Sequence, residues 1–260
     1  LKSRLIYVFA ISDEWHKDCL KVGETTLEED DGNFPLPNSE VLNKAACDRI
    51  DQYTKTAGIA YTLLHTEMTV FFKGGTISSF NDKQVHSVLE RSGVKKKTFD
   101  TVKGANEWFC CDLETIKKAI HAVKNGQNSL NASEISHTQT PIIFRPEQQA
   151  AIDKTKKQFK KGSQMLWNAK MRFGKTLCAL RVARDLDMRR TIILTHRPVV
   201  DEGWFEDFGK IFYDRTDYHY GSRTKGEDFD SLERLAKKGG KYVYFASMQD
   251  MRCLLYTSDA

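Results

Sequence analysis

Residues 169 to 176 read Ala-Lys-Met-Arg-Phe-Gly-Lys-Thr, and this stretch restricts its own surroundings more tightly than any other in the 260-residue chain. An apolar run, Gln164-Met165-Leu166-Trp167-Asn168-Ala169, leads into it, and residues 175 to 187 continue with the apolar spacing of an amphipathic helix. The pattern predicts a strand, a turn and a helix in that order. A turn that opens directly into a helix aims the unpaired N–H groups of the first helical turn, and the positive end of the helix dipole, at whatever fills the turn. Gly174 permits close backbone approach, Lys175 brings an ammonium and Thr176 a hydroxyl, a set suited to phosphate oxygens and Mg2+. The form is A-x-x-x-x-G-K-T, so Ala169 stands in place of a first glycine, and Met171, Arg172 and Phe173 are bulkier than such turns commonly carry. The candidates for holding ATP are therefore Ala169, Met171, Arg172, Phe173, Gly174, Lys175 and Thr176, with Thr176 also on the metal.

The rhythm around this turn is that of a parallel sheet with crossover helices. A helix over 146–161 precedes it; a strand over 191–196, a helix over 199–212 and a strand over 241–248 follow. The first half of the chain has a different order. Strands are expected at 4–11 and 19–25, a helix at 41–56, one long or two short strands at 60–74, and helices at 81–93 and from Leu113 to a stop at Gly126. That is a small α+β unit. Between the halves, "GQNSLNASEISHTQTP" (126–141) lacks apolar periodicity and has the composition of a linker. The expected division is a domain over 1–127, a linker over 128–141 and an α/β lobe over 142–252. The lobe reads as incomplete, because no acidic pair on a later strand follows residue 248. The last eight residues, "CLLYTSDA" (253–260), read as a translated sequencing-adapter end.

Charge separates the halves as well. Residues 1–127 carry 17 Lys/Arg against 18 Asp/Glu, whereas residues 128–260 carry 23 against 17. Only the second half is basic enough to suggest a nucleic-acid partner. The six cysteines show neither paired metal-ligand spacing nor disulfide density and read as reduced thiols. No stretch approaches 18 uncharged apolar residues, and the first ten have no export pattern, so the expected location is cytoplasmic with no membrane partner.

Three further stretches join the phosphate turn in resembling the superfamily 2 helicases and translocases, in particular the first, RecA-like ATPase lobe of restriction-type DNA translocases. "FRPEQQAAI" (144–152) resembles the segment in which a glutamine reads adenine, a role that falls on Gln148; an amide has both the donor and the acceptor that an adenine edge needs. "TIILTHRPVVDEGWFEDFGKIF" (191–212) is similar to the DNA-contacting segment after the second strand, which puts His196 and Arg197 on nucleic acid. "YVYFASMQDMR" (242–252) resembles the next strand and its Ser-x-Gln segment. The resemblance implies ATP and Mg2+ as cofactors, DNA as partner and restriction-system subunits as further partners.

In the first half, "YVFA" followed by "KVGET" resembles the GIY-YIG nucleases, in which two short strands bring tyrosines beside a helix-borne arginine and a metal-binding glutamate. Tyr7 stands at the first motif, Lys21-Val22-Gly23 at the second, and Arg49 at the family arginine; "DKQVHSVLERSG" and "NEWFCCDLETIKKAI" are similar to later segments of a branch found in phage and restriction proteins. The resemblance implies Tyr7, Arg49, His86 and Glu107 as catalytic residues, with Tyr7 or His86 handling protons, Arg49 the phosphate charge, and Glu107 or Asp82 a metal. The sequence departs from the family where Lys21 replaces the second tyrosine and Lys83 the helix glutamate. Trp108 and Phe109 are assigned to packing. The combined expectation is an ATP-driven DNA translocase with an attached endonuclease domain. Two alternatives accompany it: a first domain that only binds DNA, and a phosphate-loop ATPase unrelated to nucleic acid.

Overall fold

The computed structural model describes residues 3–27, 34–99, 107–131, 134, 142–196 and 201–250. It divides into two compact units, Leu1–Leu130 and Asn131–Ala260.

The first unit is built on a four-stranded antiparallel sheet. In chain order its elements are β1 (Arg4–Ile11), β2 (Leu20–Thr26), α1 (Glu40–Thr54), β3 (Tyr61–Met68), β4 (Val70–Lys73), β5 (Thr76–Ser79), α2 (Asp82–Arg91), β6 (Trp108–Phe109) and α3 (Leu113–Asn125). The sheet order is β3-β1-β2-β6. As a central strand β1 is apolar on both faces, and the strand period of two sends Leu5, Tyr7, Phe9 and Ile11 to one side and Ile6 and Val8 to the other. The first set packs on Leu42, Ala46 and Ile50, which lie at i, i+4 and i+8 on α1. Trp108 and Phe109 are buried, as their assignment to packing expects. Asn81 and Gln84 cap α2 reciprocally, and α3 stops at Gly126, whose φ is 72°. The stretch expected as one long or two short strands is two: Thr69 interrupts it, with its N–H donating to the Arg4 carbonyl at 2.9 Å. The second piece, β4, pairs with β5 as a hairpin that the sequence reading lacked.

The second unit contains α4 (Pro146–Gln158), α5 (Lys175–Asp185), β7 (Arg190–Thr195), α6 (Asp201–Phe212), β8 (Tyr218–Gly221), α7 (Phe229–Lys237) and β9 (Lys241–Ser247). Its three-stranded sheet, β7-β9-β8, is parallel throughout, as the alternation of strand and helix requires. Aromatic rings fill one face: Phe208, Phe212, Tyr218, Tyr220 and Phe245 pack with Leu180 and Val243. Two elements, β8 and α7, lie in a stretch for which the sequence reading had no assignment; α7 starts at Asp228, whose carboxylate accepts the Ser231 N–H at 2.7 Å.

One expected element is corrected. Residues 164–169 are not a strand. A strand exists by pairing with a neighbour, and this segment lies outside the β7-β9-β8 ladder. It is held by a side chain instead: the Trp167 indole N–H donates to Thr155 Oγ1 of α4 at 2.7 Å, and its ring joins the apolar group of Ile152, Cys178 and Val182. No described helix is long and apolar enough to cross a membrane.

Candidate functional site

The phosphate-type turn curls back on itself. The Phe173 N–H donates to the Lys170 carbonyl at 3.3 Å, and Arg172 and Gly174 both take left-handed backbone, with φ of 62° and 86°. Lys175 closes the loop from the helix side: its Nζ donates to the carbonyls of Lys170, at 3.0 Å, and Ala169, at 3.3 Å. Gly174 is the N-cap of α5, has no capping side-chain bond, and no acidic residue lies in the first helical turn. The N–H groups that a helix start leaves unpaired are thus not claimed by a local carboxylate or hydroxyl, which suits an anion. Thr176, half-buried, is the second residue of that turn. The donor set is compatible with ATP and Mg2+: backbone N–H groups and Lys175 would face phosphate oxygens, and the Thr176 hydroxyl would face the metal.

The bulky residues of the turn separate by role. Met171 is 90% exposed and Arg172 is exposed, whereas Phe173 packs against Ile152, Cys178 and Val182, pinning the turn between α4 and α5. Gln148 adds a second pin from α4. It is buried, its Nε2 donates to the Phe173 carbonyl at 2.7 Å, and its Oε1 accepts the Arg145 N–H at 2.8 Å. A Cβ on Gly174 would sit 2.7 Å from that Nε2, so glycine is required both by φ and by this close approach. The structure therefore brings Gln148 to the turn through its backbone, with both polar atoms of the amide bonded within the protein. His196 is exposed just beyond β7. Arg197, most of the 128–141 linker and residues 253–260 lie outside the described residues.

The first unit assembles a polar group from five separate points of the chain. The register pairs Tyr7 of β1 with Gly23 of β2, and a Cβ at position 23 would come within 2.7 Å of the Tyr7 ring and hydroxyl, so the phenol lies across β2 only because residue 23 is glycine. Tyr7 is buried, with Tyr53 and Arg49 of α1 hydrogen-bonded to its hydroxyl. Burial raises the Tyr7 phenol above its ordinary value; the Tyr53 bond pulls it back, the Glu107 charge pushes it up, and Arg49 lowers it without reversing the net rise. Tyr53 is raised as well, first by burial and then by its bond to Tyr7. Both phenols therefore keep their protons at neutral pH. Arg49 is exposed and also donates to Gln52 Oε1 at 2.8 Å.

Lys21 and Glu107 complete the group. The Val22 N–H donates to the Glu107 carbonyl at 3.0 Å, and Lys21 pairs with Trp108 across β2 and β6, which brings Lys21 Nζ to 3.3 Å from Glu107 Oε2. The same ammonium lies 4.6 Å from the centre of the Tyr53 ring. Of the expected catalytic residues, Tyr7, Arg49 and Glu107 are brought together. His86 is placed elsewhere: from α2 its Nε2 meets the Val22 carbonyl at 2.8 Å, and its ring packs on Phe109. Asp82, the other carboxylate considered for a metal, donates its N–H to Glu24 at 3.3 Å. Sequence reasoning missed Tyr53, although its signal was present: it lies four residues after Arg49, hence on the same helix face. Among the described residues, no three His, Cys, Asp or Glu side chains come together as metal ligands.

The second unit is thus an α/β lobe that carries a phosphate-type turn at a helix start. Residues 141–257 match the family model described as "Type III restriction enzyme, res subunit", which supports a helicase-like ATPase lobe of restriction type for this segment. Proteins of that family generally use ATP and Mg2+ and act on DNA. Comparison with curated proteins and with solved structures gave no match.

Proposed function

We propose that the chain is part of an ATP-driven DNA helicase or translocase of restriction or phage-defence type. In this reading Lys175 and the α5 N-terminus bind the ATP phosphates, Thr176 binds Mg2+, Gln148 is the adenine-side residue, and His196 and Arg197 contact DNA. The observation that carries it is the curled Ala169–Thr176 turn, closed by Lys175 over an uncapped helix start, within a segment that matches a restriction-type family. The bound metal would neutralise phosphate charge; the chain's own contribution is to position and orient the phosphates. The test is nucleotide binding. Mg·ATP is expected to bind wild type saturably, with affinity lower by at least about tenfold in Lys175→Ala, the loss of one charge-assisted hydrogen bond. Equal binding by the two proteins would refute the assignment, and binding that ignores added DNA would favour an ATPase unrelated to nucleic acid.

The Tyr7–Tyr53–Arg49 group supports a phosphodiester site of GIY-YIG type in the first unit, with Tyr7 in contact with the reacting phosphate and Arg49 stabilising its charge. The pairing of Glu107 with Lys21 favours a second reading, in which this unit positions DNA without cutting it. Plasmid cleavage separates the two: loss of cutting in Tyr7→Phe and Arg49→Ala supports the nuclease, and unchanged cutting places the nuclease elsewhere.

A further inference from the structure

We infer that Lys21 occupies, beside Glu107, the place that a divalent cation holds in metal-dependent phosphodiester chemistry, so that the first unit takes a phosphodiester anion on Lys21 and Arg49 without a metal. The inference rests on the phosphodiester reading of this unit and departs from the expected metal role of Glu107. The Lys21 side chain is only 18% exposed, and its Nζ is fixed from two sides, by Glu107 Oε2 at 3.3 Å and the Tyr53 ring at 4.6 Å. The β2–β6 pairing of Lys21 with Trp108, and the bond from the Val22 N–H to the Glu107 carbonyl, set both partners by backbone register.

A divalent ion on Glu107 would sit a few ångströms from this ammonium. Like charges at that separation in a half-buried place repel strongly, and among the described residues no cluster of carboxylates, histidines or thiols offsets the repulsion. Formal charge points the same way. Lys21, Arg49 and Glu107 sum to one positive charge, which matches the single negative charge of a phosphodiester. The Tyr7 and Tyr53 hydroxyls add neutral hydrogen-bonding groups beside Arg49. Arg49, exposed on α1, meets the incoming phosphate, and Lys21 holds the inner end of the group.

The test uses manganese, with no nucleotide present, on the full chain. Free Mn2+ measured by paramagnetic resonance should titrate identically for wild type and Glu107→Gln. Lys21→Met should gain a site at least about tenfold tighter, and the double variant Lys21→Met/Glu107→Gln should lose it. Manganese binding by wild type that disappears in Glu107→Gln overturns the inference, as does the absence of any gained site in a folded Lys21→Met. Should Lys21→Met fail to fold, Lys21→Arg keeps the charge and is expected to exclude manganese as wild type does; a new Glu107-dependent site in that variant counts against the inference. Binding of a short duplex oligonucleotide in the presence of a chelator gives the second arm, with affinity expected to fall about tenfold in Lys21→Met and in Arg49→Ala. An Arg49→Ala variant that binds the duplex like wild type refutes the phosphodiester reading itself, while the manganese titration still decides the place of Lys21.

Discussion

The two candidate sites are built in opposite ways. In the second unit the groups proposed to hold an anion are mostly backbone, supplied by one contiguous stretch whose curvature is set by Arg172 and Gly174 in left-handed conformation. In the first unit they are side chains from positions 7, 21, 49, 53 and 107, which meet only because the strand register and the α1 face bring them together. Each is fragile in its own place. A contiguous turn is damaged by changes to its own backbone, whereas an assembled group is damaged by anything that shifts a strand or a ring.

Gly23→Ala probes the assembled group with the largest expected effect. The new Cβ meets three atoms of the Tyr7 side chain at 2.7–2.9 Å in a packed core, so the ring must leave β2. The cost should be about 1–3 kcal/mol of stability, as for other overpacked sites, read by urea unfolding. Gly174→Ala is the counterpart in the turn. Forcing an L-residue to a φ of 86° costs about 1–2 kcal/mol, and the Gln148 amide must give up the Phe173 carbonyl; nucleotide affinity should fall with it in calorimetric titration. Equal losses of nucleotide affinity in the two glycine variants would erase the distinction between the sites.

Smaller effects are expected elsewhere in both units. Tyr53→Phe removes the hydrogen bond that lowers the Tyr7 phenol, so Tyr7 should titrate at still higher pH in ultraviolet difference spectra, with about 1 kcal/mol of stability lost. An unmoved Tyr7 titration would separate the two phenols. In the second unit the charges away from the turn are a tether for the sheet. The Arg215 guanidinium, helped by Lys241, holds Asp217 well below the usual carboxylate range. A depressed carboxylate contributes stability above its unfolded value, near pH 4, and loses it as pH falls through the folded value. Asp217 is 39% exposed, so after solvent screening the contribution is about 0.5 kcal/mol. Wild type should exceed Asp217→Asn by that amount at pH 7, and the two should converge at strongly acidic pH; a gap that stays constant with pH would remove the charge explanation.

The same contrast explains what the sequence made legible. The turn was legible as a motif, because the function proposed for it rests on eight adjacent positions and the amphipathic helix after them. Phe173 was unreadable as an anchor, since its partners Ile152 and Val182 come from separate helices. The absent strand at 164–169 failed for a related reason: apolar content announces a strand, but pairing makes one, and Trp167 reaches Thr155 instead. In the first unit β1, β2, α1, α2 and α3 followed from periodicity and end signals. The short β6 and the β4–β5 hairpin did not, being too brief for a pattern. Tyr7, Arg49 and Glu107 were legible only through resemblance to a family. Tyr53 and the pairing of Lys21 with Glu107 emerge from register, which no local window contains.

Whether the backbone from Ala169 to Thr176 cradles phosphates, as proposed, is read from amide nitrogen and proton shifts on adding Mg·ATP to isotope-labelled protein. The largest changes should fall on the N–H groups of Gly174, Lys175 and Thr176 and should vanish in Lys175→Ala. Saturable nucleotide binding that leaves those three amides unmoved, or that moves them equally in Lys175→Ala, would refute the phosphate cradle.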